Sequence, residues 1–247
     1  MTRTQDEADT RHAGLKPLAL LAAGMTGADI ERLVRELRAR CRRQDIPMTW
    51  AAVEAALMTG RNPPSAKLAL PTAVHELGHA ITYEGLGIAT VETVRVGGEQ
   101  GGETHSLLHV DMVQDEAGML KWMACMLAGR TAEMLVFGTA MVGAGGSDES
   151  DLARATTLAL KLETAFGVGD DLPLLYRPPV NPAEAMLYNP VFAERVHGRL
   201  VAAEAIAKGV LSQHLPLLTR LAGQLAEAVV MDGDDLRREI RAYASTA

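Results

Sequence analysis

The sequence predicts a mainly α-helical protein with one small β-hairpin. Apolar residues make up 48% of the 247-residue chain but aromatics only 4%, so the core must be built from Ala, Leu, Val and Met, a mixture that favours helix. Apolar residues also recur at helical spacing through most of the chain. One stretch, Val91-Glu92-Thr93-Val94-Arg95-Val96, alternates as a strand does. The length accommodates one large domain with a smaller appendage: a tail over 1–13, a helical segment over 14–60 and the main domain over 61–247.

Taken in order, residues 1–13 are polar, mixed in charge and read as a disordered tail. A short helix is expected over about 16–23, stopping at Gly24. Thr26-Gly27-Ala28-Asp29 then has the form of a helix start with an acid three residues after the cap. Ile30, Leu33, Val34, Leu37 and Cys41 follow at i, i+3, i+4, i+7 and i+11 as one apolar stripe. Pro47 is expected to end this helix, and Thr49 to cap a further short one through Leu57. Residues 61–71, with Pro63, Pro64 and Pro71, read as a linker. The next helix is placed from Pro71, with Thr72 as cap and Gly85 and Gly87 as its stop. After the alternating strand, Gly97, Gly98, Gly101 and Gly102 turn the chain, and Glu103–Val110 forms the second strand of the hairpin.

A longer helix is expected from Asp115 to Phe137, with Met119, Trp122, Met123, Met126, Leu127 and Leu135 as apolar filling. Its Ala124, Ala128 and Gly129 allow a neighbour to approach closely. Gly143–Gly146 is a loop, and Ser147-Asp148-Glu149-Ser150-Asp151 opens a helix that runs through Leu162, its acids complementing the helix dipole. The proline-rich stretch 168–192 reads as irregular. Amphipathic helices over about 190–211, 213–230 and 233–244 complete the chain.

Charge and composition exclude several function classes. A net charge of −7 argues against a nucleic-acid surface, and Arg32, Arg35, Arg38, Arg42 and Arg43 are read as a solvated helix face. No apolar run approaches the ~20 residues that span a bilayer, and the N-terminus does not read as a signal peptide, so no membrane role and a cytoplasmic location are expected. Cys41 and Cys125 lack metal-type spacing, and Cys125, among apolar neighbours, reads as a small core residue.

The chemistry is concentrated in His75-Glu76-Leu77-Gly78-His79. Residues four apart share one helix face, so His75 and His79 can present imidazole nitrogens to a single Zn²⁺ ion. Glu76 stands beside a water held on that ion and fits the role of general base. A catalytic zinc takes a third protein ligand. The form His-Glu-x-x-His-x-x-Gly-x-x-His is excluded, because Thr82 stands at the Gly place and Gly85 at the last His place. A glutamate on a later helix, Glu133, or an aspartate further on remains. Glu133 also lies three residues after Arg130, as an intrahelical pair or as a group behind the metal helix. His105, His109, His197 and His214 read as surface or satisfied histidines.

These segments resemble a known family. His75-Glu76-Leu77-Gly78-His79-Ala80 is similar to the zinc motif of the M41 peptidases, the proteolytic half of FtsH-type proteases. Leu127-Ala128-Gly129-Arg130-Thr131-Ala132-Glu133 is similar to their Gly-Gly-Arg-Ala-Ala-Glu helix, and Ser150-Asp151-Leu152-Ala153-Arg154-Ala155-Thr156 to their Asn-Asp-Leu-x-x-Ala-Thr segment. The resemblance runs over about 65–245. It implies a helical metalloprotease fold, zinc held by His75, His79 and Asp151, Glu76 as the catalytic base, Glu133 as a supporting acid and Asp148 as the local competitor for the ligand role. Leu18–Val34 and Ile46-Pro47-Met48-Thr49 further resemble the helical lid and linker of the AAA+ ATPases in such proteases, so 14–60 reads as a lid-like segment.

The chain departs from the family where Met134 follows Ala-Glu in place of a second glutamate, and in its glycine-rich strand region. It also carries no Gly-x-x-x-x-Gly-Lys-Ser/Thr, and the expectation is no ATPase activity of its own. The function expected is that of a soluble zinc endopeptidase acting on peptides or unfolded proteins. The alternative is a subunit or adaptor docking on a separate AAA+ ATPase through the arginine-bearing helices. The resemblance also implies a homo-oligomer, hexameric in such relatives.

Overall fold

The structure, a computed structural model, describes residues 15, 18–22, 25–59, 65–97, 101–142 and 145–245. The expected tail over 1–13, the helix stop at Gly24 and the middle of the glycine turn lie outside these residues. Helix α1 spans Gly27–Gln44, α2 Trp50–Thr59, α3 Ala66–Leu86, α4 Glu116–Phe137, α5 Asp151–Thr164, α6 Pro182–Tyr188, α7 Pro190–Gln213, α8 Leu215–Ala228 and α9 Gly233–Ala244. Strands β1 (Ala89–Val96), β2 (Gly102–Leu108) and β3 (Val230–Asp232) form one antiparallel sheet in the order β2–β1–β3. The mainly helical class is therefore as the composition implies. No helix among the described residues is long and apolar enough to cross a membrane.

Helix α3 is the centre of the packing and carries the His-Glu-x-x-His stretch. It lies against α4, α8, β1 and β2, while α4 packs in turn against α5 and α7. Val74, Leu77, Ala80 and Ile81 are buried almost completely and meet Val91, Val94, Met123, Leu127, Leu218 and Leu221 in one continuous core. Burying each of the valine, leucine, isoleucine and methionine side chains contributes about 1.5–3 kcal/mol relative to exposure, enough to hold α3 between sheet and helices. Gly87, with φ 65°, ends it in the left-handed conformation and turns the chain into β1.

Local chemistry sets several other boundaries. Thr26 and Asp29 form the reciprocal capping box at the start of α1. Asp115 caps α4 by accepting the Gly118 N–H at 2.7 Å, and Ser150 accepts the Ala153 N–H to start α5.

Some expectations need correction. Helix α3 begins at Ala66 rather than at Pro71, so the second half of the expected linker is helical and Thr72 is not its cap. Pro71 is tolerated because the carbonyl it leaves without a partner belongs to Lys67, in the exposed first turn. Helix α1 ends at Gln44, not at Pro47, with Asp45 in the left-handed conformation at φ 52°. The acidic run Ser147–Ser150 is a turn before α5 rather than its first turn. The proline-rich stretch holds the short helix α6, with Pro182 at its first position and Asn181 capping it. Strand β3 was not foreseen. At three residues it is too short for alternation to register, and it exists because its ladder to β1, Thr93 with Asp232 and Arg95 with Val230, is available.

Candidate metal centre

Helix α3 aims His75 and His79 at the same point, with their rings edge to face and centroids 4.8 Å apart. The two Nε2 atoms are 3.1 Å from each other. Asp151, the first residue of α5, places Oδ2 3.1 Å from Nε2 of His75 and 3.2 Å from Nε2 of His79. Among the described residues, His75, His79 and Asp151 form the one group of three side chains able to hold a metal ion. Glu133 and Asp148, the alternatives weighed for the third position, lie elsewhere. Glu133 is on the far side of His75, and Asp148 is exposed in the turn before α5.

The outward-facing nitrogens are committed. His75 Nδ1 lies 2.8 Å from Glu133 Oε1, and His79 Nδ1 lies 2.7 Å from the Cys125 carbonyl oxygen. Both can only donate to those acceptors, so in the neutral rings the proton sits on Nδ1 and each Nε2 presents a bare lone pair. With both rings neutral, two lone pairs and a carboxylate oxygen converge within 3.2 Å, an arrangement that a proton or a metal cation relieves. The separations approach the ~3.4 Å edge of a tetrahedron with zinc-to-ligand bonds of about 2.0–2.1 Å. Gly129 on α4 completes the cradle. A Cβ there would lie 2.5 Å from both His75 Cε1 and His79 Nε2, so only glycine lets α4 back onto the two imidazole rings. The donor set, its tautomers and its walls fit zinc.

Without metal, the same geometry shows in the protonation equilibria. Burial alone would lower His75, but its hydrogen bonds to Asp151 and Glu133 outweigh burial and raise it to about 10. Asp151 is partly buried, which would raise it, yet the two imidazoles hold it well below the usual carboxylate range. Glu76 is pushed up by burial, an effect the neighbouring histidines and Thr104 only partly offset.

Glu76 stands beside the cluster, 8% exposed, and Thr104 on β2 donates its hydroxyl to Glu76 Oε2 at 2.8 Å. Glu133 makes no pair with Arg130: it accepts from His75 and, through Oε2, the Met141 N–H at 2.5 Å, while Arg130 reaches Glu204 on α7. His105 pairs with Glu103 on the hairpin, and His109 bridges Thr90 and the Gly87 carbonyl. His214 donates to the Val210 carbonyl one turn back. Cys41 and Cys125 are buried free thiols. Sequence reasoning missed Thr104, the Cys125 carbonyl and the Met141 N–H. The last two are backbone groups with no residue-type signature, and Gly129 was legible only as a point of close approach.

A buried helix presenting His-Glu-x-x-His toward a carboxylate from a second helix, with a glutamate beside the cluster, defines the zinc metallopeptidase class. The chain belongs to peptidase family M41, whose family model matches residues 65–238; its members are zinc metalloendopeptidases. Similar curated proteins include the ATP-dependent zinc metalloprotease FtsH of Rubrobacter xylanophilus, 30% identical over 93% of this chain and 38% of the relative. The ATP-dependent zinc metalloprotease FtsH of Caldicellulosiruptor bescii is 30% identical over 91% of this chain and 40% of its own length. The YME1 homolog of Caenorhabditis elegans, also an ATP-dependent zinc metalloprotease, is 34% identical over 64% of this chain and 24% of its own. The chain thus spans well under half the length of these relatives.

Proposed function

We propose that this chain is a zinc endopeptidase hydrolysing peptide bonds in peptides or unfolded proteins, with His75, His79 and Asp151 holding the metal and Glu76 as general base. The observation that carries this reading is the convergence of two Nε2 atoms and Asp151 Oδ2, with both Nδ1 atoms occupied behind them. Zinc bound there supplies Lewis acidity to a water and to the scissile carbonyl. Glu76 takes the proton of the attacking water and delivers it to the leaving amine. Strand β2 is one of the two edge strands of the sheet, and an edge strand can take up an extended peptide by backbone hydrogen bonds. A folded chain cannot lie in that way, which is why the substrates proposed are peptides or unfolded proteins.

These 247 residues contain no Gly-x-x-x-x-Gly-Lys-Ser/Thr, so the chain itself is proposed to cleave without nucleotide. A second reading keeps the same site in a subunit or adaptor that docks on a separate AAA+ ATPase. It is supported by α1, whose Arg32, Arg35, Arg38, Arg42 and Arg43 all face outward, and by the ATP-dependent names of the relatives. The lid-like reading of 14–60 and a hexameric assembly belong to this proposal as well.

The test is digestion of unfolded casein by the zinc-loaded chain, with metal analysis alongside. Glu76→Gln should keep its zinc and lose turnover. A variant as fast as the parent refutes the role of Glu76. Cleavage that appears only with an added ATPase and nucleotide favours the second reading.

A further inference from the structure

We infer that Thr104 is a positioning residue that fixes the carboxylate of Glu76; the inference rests on the proposed role of Glu76 as base. Glu76 gains its place on α3 from the helix, but a glutamate has three rotatable bonds, and the helix does not choose among them. Strand β2 does. Gly102 and Thr104 are two apart on that strand, so both face α3. Their ladder partners on β1 are Val96 and Val94, both buried in the core, which ties the register of β2 to the packing of the whole domain.

The two residues grip the glutamate differently. A Cβ at Gly102 would stand 2.7 Å from Glu76 Cγ and 2.8 Å from Oε1, so the bare strand backbone forms a wall against the side chain. Thr104 Oγ1 lies 2.8 Å from Glu76 Oε2 and 3.0 Å from the Glu76 carbonyl oxygen. A hydroxyl has one proton, and the carboxylate is the stronger acceptor. The proton therefore goes mainly to Oε2, with the Glu76 carbonyl oxygen sharing it as the weaker acceptor. Among the described residues no hydrogen bond reaches Oε1. One oxygen is held and the other left free to accept a proton. The hairpin thereby acts on the base as well as on substrate, and Thr104 does so without touching the reacting atoms.

Thr104→Val keeps the shape and removes the hydroxyl; Thr104→Ser keeps the hydroxyl and removes a methyl. For the zinc-loaded chain cleaving a fluorogenic peptide, Thr104→Val should lower kcat by about 10- to 100-fold, the scale of a displaced catalytic group, with KM and zinc content unchanged. Thr104→Ser should stay within about threefold of the parent. A loss equal in both variants, or kcat of Thr104→Val within twofold of the parent, overturns the inference. Crystal structures of the same variants read positioning directly, even if the parent cleaves nothing and the peptidase reading itself fails. The Glu76 carboxylate should move or split between rotamers in Thr104→Val and hold in Thr104→Ser. An unmoved carboxylate in Thr104→Val refutes the role of Thr104 whatever the activity.

Discussion

Replacing Glu133 by glutamine probes how this protein sets the tautomer at the proposed metal site. Glu133 is 2% exposed and uses both oxygens as acceptors, Oε1 toward His75 Nδ1 at 2.8 Å and Oε2 toward the Met141 N–H at 2.5 Å. Glutamine is nearly the same shape but offers one acceptor and one donor. If its carbonyl faces His75, its NH₂ opposes the Met141 N–H. If it turns over, it opposes His75 and drives the imidazole proton onto Nε2, where the metal should bind. Loss of such an outer partner costs about 10- to 100-fold in metal affinity, or about 1.4–2.8 kcal/mol, and an unpaired buried N–H adds about 1–3 kcal/mol against folding. Competition with a chromophoric zinc chelator should show the drop in affinity, and a thermal melt in EDTA the lower stability. Asp151→Ala, measured beside it, should bind zinc far more weakly than Glu133→Gln. Glu133→Gln binding zinc within twofold of the parent would refute the tautomer argument, and a loss exceeding that of Asp151→Ala would make Glu133 the direct ligand.

Two further outcomes follow from the same geometry. In the metal-free protein His75 is raised to about 10, so at neutral pH it holds a proton that zinc would have to expel from the proposed site; affinity should rise about tenfold per pH unit between 7 and 9 and flatten above 10. Calorimetry in buffers of different ionisation enthalpy should find about one proton released per zinc, and none released refutes it. Away from the site, Glu163 is 1% exposed and accepts from Arg195 Nε at 3.1 Å and Arg199 Nε at 2.5 Å, tying α5 to α7. Glu163→Ala should destabilise by about 3 kcal/mol, the low end for breaking a buried pair because Arg195 and Arg199 retain 23% and 13% exposure; an unchanged urea midpoint contradicts that.

What the sequence determined alone is what depends on neighbours along the chain. The i, i+4 spacing of His75 and His79 puts them on one face of any helix containing them. The capping box at Thr26, the cap at Asp115 and the glycine stop at Gly87 act within one turn, and their residue types announce them. The mainly helical class follows from a core poor in aromatics and rich in Ala and Leu. Even here the reach is local: Pro71 looks like a helix start and sits inside α3, because apolar packing of the whole helix outweighs one missing hydrogen bond in an exposed turn.

Tertiary structure alone decided which carboxylate faces which nitrogen. Glu133, Asp148 and Asp151 are all acids at sensible distances along the chain, and only a resemblance to a family ranked them. The folded chain puts Asp151 toward the Nε2 atoms, Glu133 toward Nδ1 and Asp148 into solvent. That sorting comes from how α4 and α5 dock on α3, with Gly129 setting how near α4 can come. The same docking supplies the Cys125 carbonyl behind His79, and the sheet supplies Thr104 beside Glu76. A backbone oxygen and a single hydroxyl leave no periodicity in the sequence. They become functional groups only where two elements distant in the chain meet at hydrogen-bond distance.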